Sequence, residues 1–97
     1  MEKMKATTFD FRKVLIEEKF GEFVERDASQ ALGNAIHQNT GDIGLDEVAR
    51  AIYKNGKAEI PEMYIPVIVA ILRNPETNMV VSAKLAVIEL LTSKNKK

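Results

Sequence analysis

The chain has 97 residues, 45% of them hydrophobic and 29% charged, and it contains no cysteine. That length makes one domain with room for a core that needs no covalent staples, and the lack of cysteine excludes disulfides, thiolate metal sites and thiol nucleophiles. Fourteen basic and fourteen acidic side chains cancel overall but not locally, since residues 1–16 are net +2, residues 17–62 net −5 and residues 63–97 net +3, a modest dipole able to guide self-association between unlike faces.

No targeting segment is expected. Met1 to Lys5 is followed by threonine and aspartate rather than an apolar stretch. The longest apolar run, Met63 to Leu72, is interrupted by Pro66. It reaches about half of the ~20 residues that a spanning helix needs. The chain therefore reads as soluble and cytoplasmic, with no membrane partner.

Residues 7–26 admit two readings. Phe9 and Phe11 alternate with Asp10 and Arg12, which is strand-like, and Val14-Leu15-Ile16 is a β-prone run. Lys19-Phe20-Gly21-Glu22 suits a hairpin turn with a positive φ at Gly21, and Phe23-Val24-Glu25 would be the return strand. The rival is a helix, because Ile16, Phe20, Phe23 and Val24 also share one helical face. The hairpin is preferred, since β-branched and aromatic residues crowd the segment and a mid-helix glycine costs ~1 kcal/mol.

A helical body is expected over 27–93. Ala28, Ala31, Leu32, Ala35 and Ile36 form one apolar stripe, and Leu45, Val48, Ala49, Ile52 and Tyr53 repeat its spacing. Asp27 is placed to cap the first of these helices, with Gln30 completing a capping box. Gly33 lies on or beside the stripe, where it would permit close approach by a neighbour. A loop of about six residues, Asn39 to Gly44, precedes the second helix, which Asp42 or Gly44 starts. Asp46 and Glu47 suit the positive end of that helix and Lys54 the negative end. Asn55-Gly56 is a stop signal, with Gly56 in the left-handed region.

Lys57 to Ile60 reads as a brief extended piece, and Pro61 is placed to open a third helix. Pro66 must lie in the first turn or kink the helix. Val67 to Leu72 is apolar on every face and should be enclosed. Asn74 or Thr77 would cap a last helix, whose stripe is Val80, Ala83, Val87, Leu90 and Leu91, widened by Val81, Leu85 and Ile88. A basic tail is expected at 94–97. No internal repeat is evident.

Few residues suggest chemistry. His37 is the only histidine, and the nearest acids in sequence, Asp42 and Asp46, stand at no recognised ligand spacing. Asn39 to Leu45 does not supply the alternating oxygens of a calcium loop. Gly41 and Gly44 match neither phosphate-loop pattern. Ser29, Ser82 and Ser93 lack an evident base, and Glu17, Glu18, Glu22 and Glu25 read as solvated charges. No enzyme activity, cofactor, metal or small-molecule substrate is expected. A nucleic-acid-binding regulator using a helix-loop-helix at residues 28–54 is the alternative function. Against it stand the long connection, Asp46 and Glu47 at the end that would meet phosphates, and the lack of a basic stripe.

The wording of Leu32 to Thr40, then Asp42 to Ala49 and Ile52-Tyr53, resembles small helical proteins encoded in bacterial prophages and mobile elements. The resemblance spans roughly Phe9 to Leu91 in layout. It implies an accessory protein and carries over no functional residue.

The expected architecture is a single, mainly α domain over 1–97, a four-helix orthogonal bundle with a short N-terminal β-hairpin. Its predicted core is Leu15, Phe23, Leu32, Ile36, Leu45, Val48, Ile52, Ile68, Ile71, Leu72, Val81, Leu85 and Ile88. Phe9, Phe11, Met63, Tyr64, Met79 and Val80 exceed what that core holds, so they form the candidate interface of a protein-interaction or assembly module. The expected partner is a second copy of the chain or another protein.

Overall fold

The computed structural model describes residues 6–95. Its elements run β1 (Ala6–Asp10), β2 (Val14–Lys19), β3 (Glu22–Arg26), α1 (Ser29–Asn39), α2 (Ile43–Asn55) and β4 (Lys57–Pro61). A 3₁₀ turn at Glu62–Tyr64, then α3 (Ile65–Arg73) and α4 (Val81–Asn95), complete the described chain. Two separate antiparallel ribbons, β1–β4 and β2–β3, accompany the helices. The architecture is thus α+β, which corrects the expected four-helix orthogonal bundle. Its cause is β4: Lys57–Pro61 is a full partner strand for β1, with Ala6 opposite Pro61 and Phe9 opposite Ala58. That pairing joins strands on either side of the α1–α2 unit, and local periodicity carries no sign of it.

Strand alternation explains what β1 does. Phe9 and Phe11 share one face of the extended chain, and both are 0% exposed. Their rings stack with centroids 6.1 Å apart. They join Ala58 and Ile60 of β4, Leu32 and Ile36 of α1, Leu45 and Ile52 of α2, and Ile68 and Leu72 of α3 in one core. Phe11 also ties the elements together through its backbone. Its N–H donates to the Gly56 carbonyl, and its carbonyl accepts from the Ala28 N–H, both at 2.8 Å.

The β2–β3 hairpin turns at Gly21, whose φ is 84°. Val14 and Ile16 are buried, so Leu15 between them must face out, and it is 59% exposed. Phe23 lies opposite Glu17 in the register and shares that outer face. Leu15 and Phe23 are therefore corrected from core to surface residues. Val81 and Leu85 of α4 are likewise exposed, while Ala83, Val87 and Leu91 are buried. Of the stripe read along the last helix, Ala83, Val87 and Leu91 are buried and Leu90 is half-buried, but Val80 precedes the helix and is exposed. Of its widening, Val81 and Leu85 are uncovered while Ile88 packs on the core.

The helix ends follow from their capping residues. Asp42 caps α2, its carboxylate accepting from the N–H of Gly44 at 2.8 Å and of Leu45 at 3.3 Å. Gly56 closes α2 with φ 79°, its N–H donating to the Ile52 carbonyl. Asp27 accepts from the Ser29 N–H at 2.9 Å and from its hydroxyl at 2.5 Å, one residue earlier than the α1 boundary at Ala28. Pro66 sits in the first turn of α3, where the missing N–H leaves no helical bond unmade. Pro61 ends β4 instead of opening a helix. Thr77 caps no helix start; its hydroxyl donates to the Ile71 carbonyl at 2.6 Å and closes the end of α3. Among the described residues no helix is long and apolar enough to cross a membrane. Residues 96–97 and the side chains beyond Thr92, where the basic tail is expected, lie outside the described part.

Candidate functional site: a polar cleft and uncovered apolar side chains

α1 and α2 meet without a side chain at Gly33. A Cβ there would stand 2.9 Å from the Ala49 carbonyl oxygen and 2.9 Å from Tyr53 Cβ. The close approach brings together residues from either side of the turn. His37 Nδ1 is 2.5 Å from Asp46 Oδ1, and Arg50 Nη2 is 3.8 Å from Asp46 Oδ2. An open cleft of about 290 Å³ lies here, lined by Gly33, Asn34, His37, Asp46, Arg50, Tyr53 and Lys54. The sequence reading left His37 without a partner; the fold supplies Asp46. The available signal was the helix pair itself, whose short connection sets the end of α1 beside the start of α2.

This cleft holds a histidine oriented by a carboxylate, which is part of the arrangement that activates a nucleophile. Its lining includes no serine, threonine or cysteine. Among the described residues no group of three or more histidine, aspartate or glutamate side chains is placed to hold a metal ion. As it stands, the cleft is a polar, hydrogen-bonded seam between two helices.

The helix-loop-helix itself needs one correction. The connection is three residues, Thr40 to Asp42, not six. Its length therefore falls within the range of the DNA-binding motif. The charges do not change. Asp42, Asp46 and Glu47 crowd the start of α2, where approaching phosphates would be repelled.

The six candidate interface residues divide. Phe9 and Phe11 are core, which corrects their assignment to a surface. Met63 is 54% and Val80 67% exposed. Tyr64 and Met79 are half-buried and pack on the core. Tyr64 also donates its hydroxyl to Asp42 at 3.4 Å. Loss of hydration, and then the Asp42 charge, push its pKa above the usual tyrosine value. Met63 and Tyr64 precede α3 while Met79 and Val80 follow it.

A different set does stand uncovered. On the hairpin these are Leu15, Phe20 and Phe23, with Phe20 at the tip 100% exposed. On α4, which packs against β2, they are Val81 and Leu85. Val81 and Leu85 are four residues apart and so adjacent on the helix surface. No local signal marks the outward placement of Leu15, since Val14, Leu15 and Ile16 are all apolar. The ion pair on the hairpin is peripheral. Arg26 Nε lies 2.5 Å from Glu18 Oε2 and holds that carboxyl below its ordinary range.

No protein-family model matches the chain, and neither does any curated protein or solved structure.

Proposed function

We propose that this protein is a non-catalytic interaction or assembly module acting in the cytoplasm. The observation that carries the reading is the set of uncovered apolar side chains on the hairpin and on α4. A two-stranded ribbon is marginal by itself, and β2 is buttressed by α4 on one side only. α4 is rich in apolar residues around its whole circumference, yet it leaves Val81 and Leu85 in solvent. Side chains of this kind contribute little to the isolated fold and contribute most when a partner covers them. The resemblance to accessory proteins of prophages and mobile elements fits such a role.

The nucleic-acid alternative has the three-residue turn in its favour and the acidic start of α2 against it. No basic stripe accompanies α2, and the uncovered side chains of the hairpin and α4 on which the main reading rests are apolar.

Serine substitutions test the main reading. Leu15→Ser, Phe23→Ser, Val81→Ser and Leu85→Ser should each change unfolding free energy by less than ~0.5 kcal/mol in dilute solution. They should weaken association measured by light scattering at micromolar concentration. If each substitution destabilises the dilute chain by more than ~1 kcal/mol, these side chains serve the fold and the reading fails.

A further inference from the structure

β3 is the least covered element of the protein. All five of its residues, Glu22 to Arg26, are exposed. It pairs only with β2 and has no extended contact with any other element. Its outer edge therefore presents backbone N–H and C=O groups that can template another strand. Edge strands are usually blunted by charges that repel a second copy. β3 carries its charges in the opposite sense: Glu22 and Arg26 stand symmetrically about Val24.

We propose that β3 pairs with β3 of a second copy, antiparallel about a two-fold axis at Val24. The inference rests on the interaction-module reading and names its occupant. In this register Glu22 faces Arg26 of the partner copy, and Arg26 faces its Glu22. Opposite charges directly across an antiparallel pair stabilise it. Arg26 uses one N–H donor on Glu18 within its own hairpin and has others to offer. Val24 meets Val24 on the axis. Phe23 faces Glu25 of the partner copy, and the two Phe23 rings become diagonal neighbours, within aromatic reach. Because Leu15 and Phe23 share the outer face of the hairpin, the paired sheet carries both residues from both copies on one side.

The neighbouring symmetric registers are worse. Placing the axis at Glu25 sets Glu25 against Glu25 and Val24 against Arg26. Placing it at Phe23 separates Glu22 from Arg26 and loses both ion pairs. Charge thus selects the register about Val24.

The test uses the full chain in sedimentation velocity up to about 1 mM, a range in which weak interfaces associate. Glu22→Arg and Arg26→Glu should each weaken the dimer about tenfold, because each variant places like charges across the axis twice. An equimolar mixture of the two variants should recover the dimer, since the mixed pair restores opposite charges at both ends. A second measurement does not depend on these charges. The chain has no cysteine, so Val24→Cys should form a disulfide-linked dimer under mild oxidation much faster than Phe20→Cys. Position 20 is fully exposed but far from its own copy in this register. Equal cross-linking at both positions, a wild-type chain that stays monomeric, or a mixture no better than its components overturns the pairing. A dimer that persists in both charge variants overturns it too, while leaving the interaction-module reading in place. If Arg26→Glu fails to fold, the cysteine comparison decides alone.

Discussion

Lys84 of α4 donates from Nζ to the carbonyl oxygen of Asn74, 3.0 Å away, at the C-terminal end of α3. The residue is only 7% exposed. Its aliphatic stem is packed between helices while its ammonium meets the last carbonyls of α3, where a positive charge is favoured. The same carbonyl also accepts from the Thr77 N–H at 3.0 Å. Removing the ammonium therefore leaves no orphaned acceptor. Lys84→Met, which keeps the stem, should cost about 1 kcal/mol. Lys84→Ala, which removes the stem as well, should cost about 2–3 kcal/mol. Urea unfolding of the two variants separates packing from the hydrogen bond.

Gly33 makes the second prediction. Alanine is the better helix former by about 1 kcal/mol, yet here its methyl would strike the Ala49 carbonyl and Tyr53 Cβ at 2.9 Å. The obstruction is largely backbone, so it cannot rotate away. Gly33→Ala should destabilise the protein by about 1–3 kcal/mol. It should also widen the distance between His37 and Asp46, visible as a shift of the histidine ring signals in an NMR spectrum. An alanine variant as stable as the parent would mean that α1 and α2 are less closely apposed.

How far the sequence could be read depended on the range of the interaction. Caps and turns act within a few residues, so Asp42, Gly56 and Gly21 could be placed from their neighbours. The apolar stripes of α1 and α2 were legible for the same reason. The β1–β4 ribbon was not, because Phe9 and Ala58 meet only after two helices have folded between them. With that partner unseen, Phe9 and Phe11 counted as surplus and were assigned to an interface. The hairpin was visible but its parity was not. Val14-Leu15-Ile16 is apolar throughout, and only the covering helix α4 decides which face is buried. The same ambiguity moved Val81 and Leu85 to the wrong side of an evenly apolar helix. His37 and Asp46 were missed because a helix pair joined by a loop says only that the end of α1 lies near the start of α2; which side chains meet depends on the close packing at Gly33.

Burial of the phenylalanines yields a sharp contrast. Phe9→Ala should cost about 3–5 kcal/mol, the range for a fully buried aromatic whose site cannot collapse. Phe20→Ala, at the exposed hairpin tip, should stay within about 0.5 kcal/mol of the parent. Thermal unfolding at one protein concentration compares them. Similar losses for both would place Phe20 against something in the folded chain.

Acid should weaken the fold through three carboxylates. Arg12 clasps Asp10 with two hydrogen bonds, Nε to Oδ1 at 3.0 Å and Nη2 to Oδ2 at 2.8 Å. That clasp holds the Asp10 carboxyl far below the usual range. Arg26 lowers Glu18, and the Ser29 hydroxyl and N–H lower Asp27. A lowered pKa means that the folded state binds the ionised form better than the unfolded state does. The stabilisation is complete above the unfolded values near 4 and is lost as pH falls through the lower folded ones. The urea midpoint should therefore be flat from about pH 7 to pH 5 and decline below about pH 4. All three groups are exposed, so the decline should be shallow and should shrink further in high salt. Asp10→Asn removes the most strongly shifted carboxyl. It should lower the midpoint at neutral pH and reduce the loss between neutral and acid conditions. An Asp10→Asn profile that falls as steeply as the parent would show that the clasp by Arg12 does not set the acid limb.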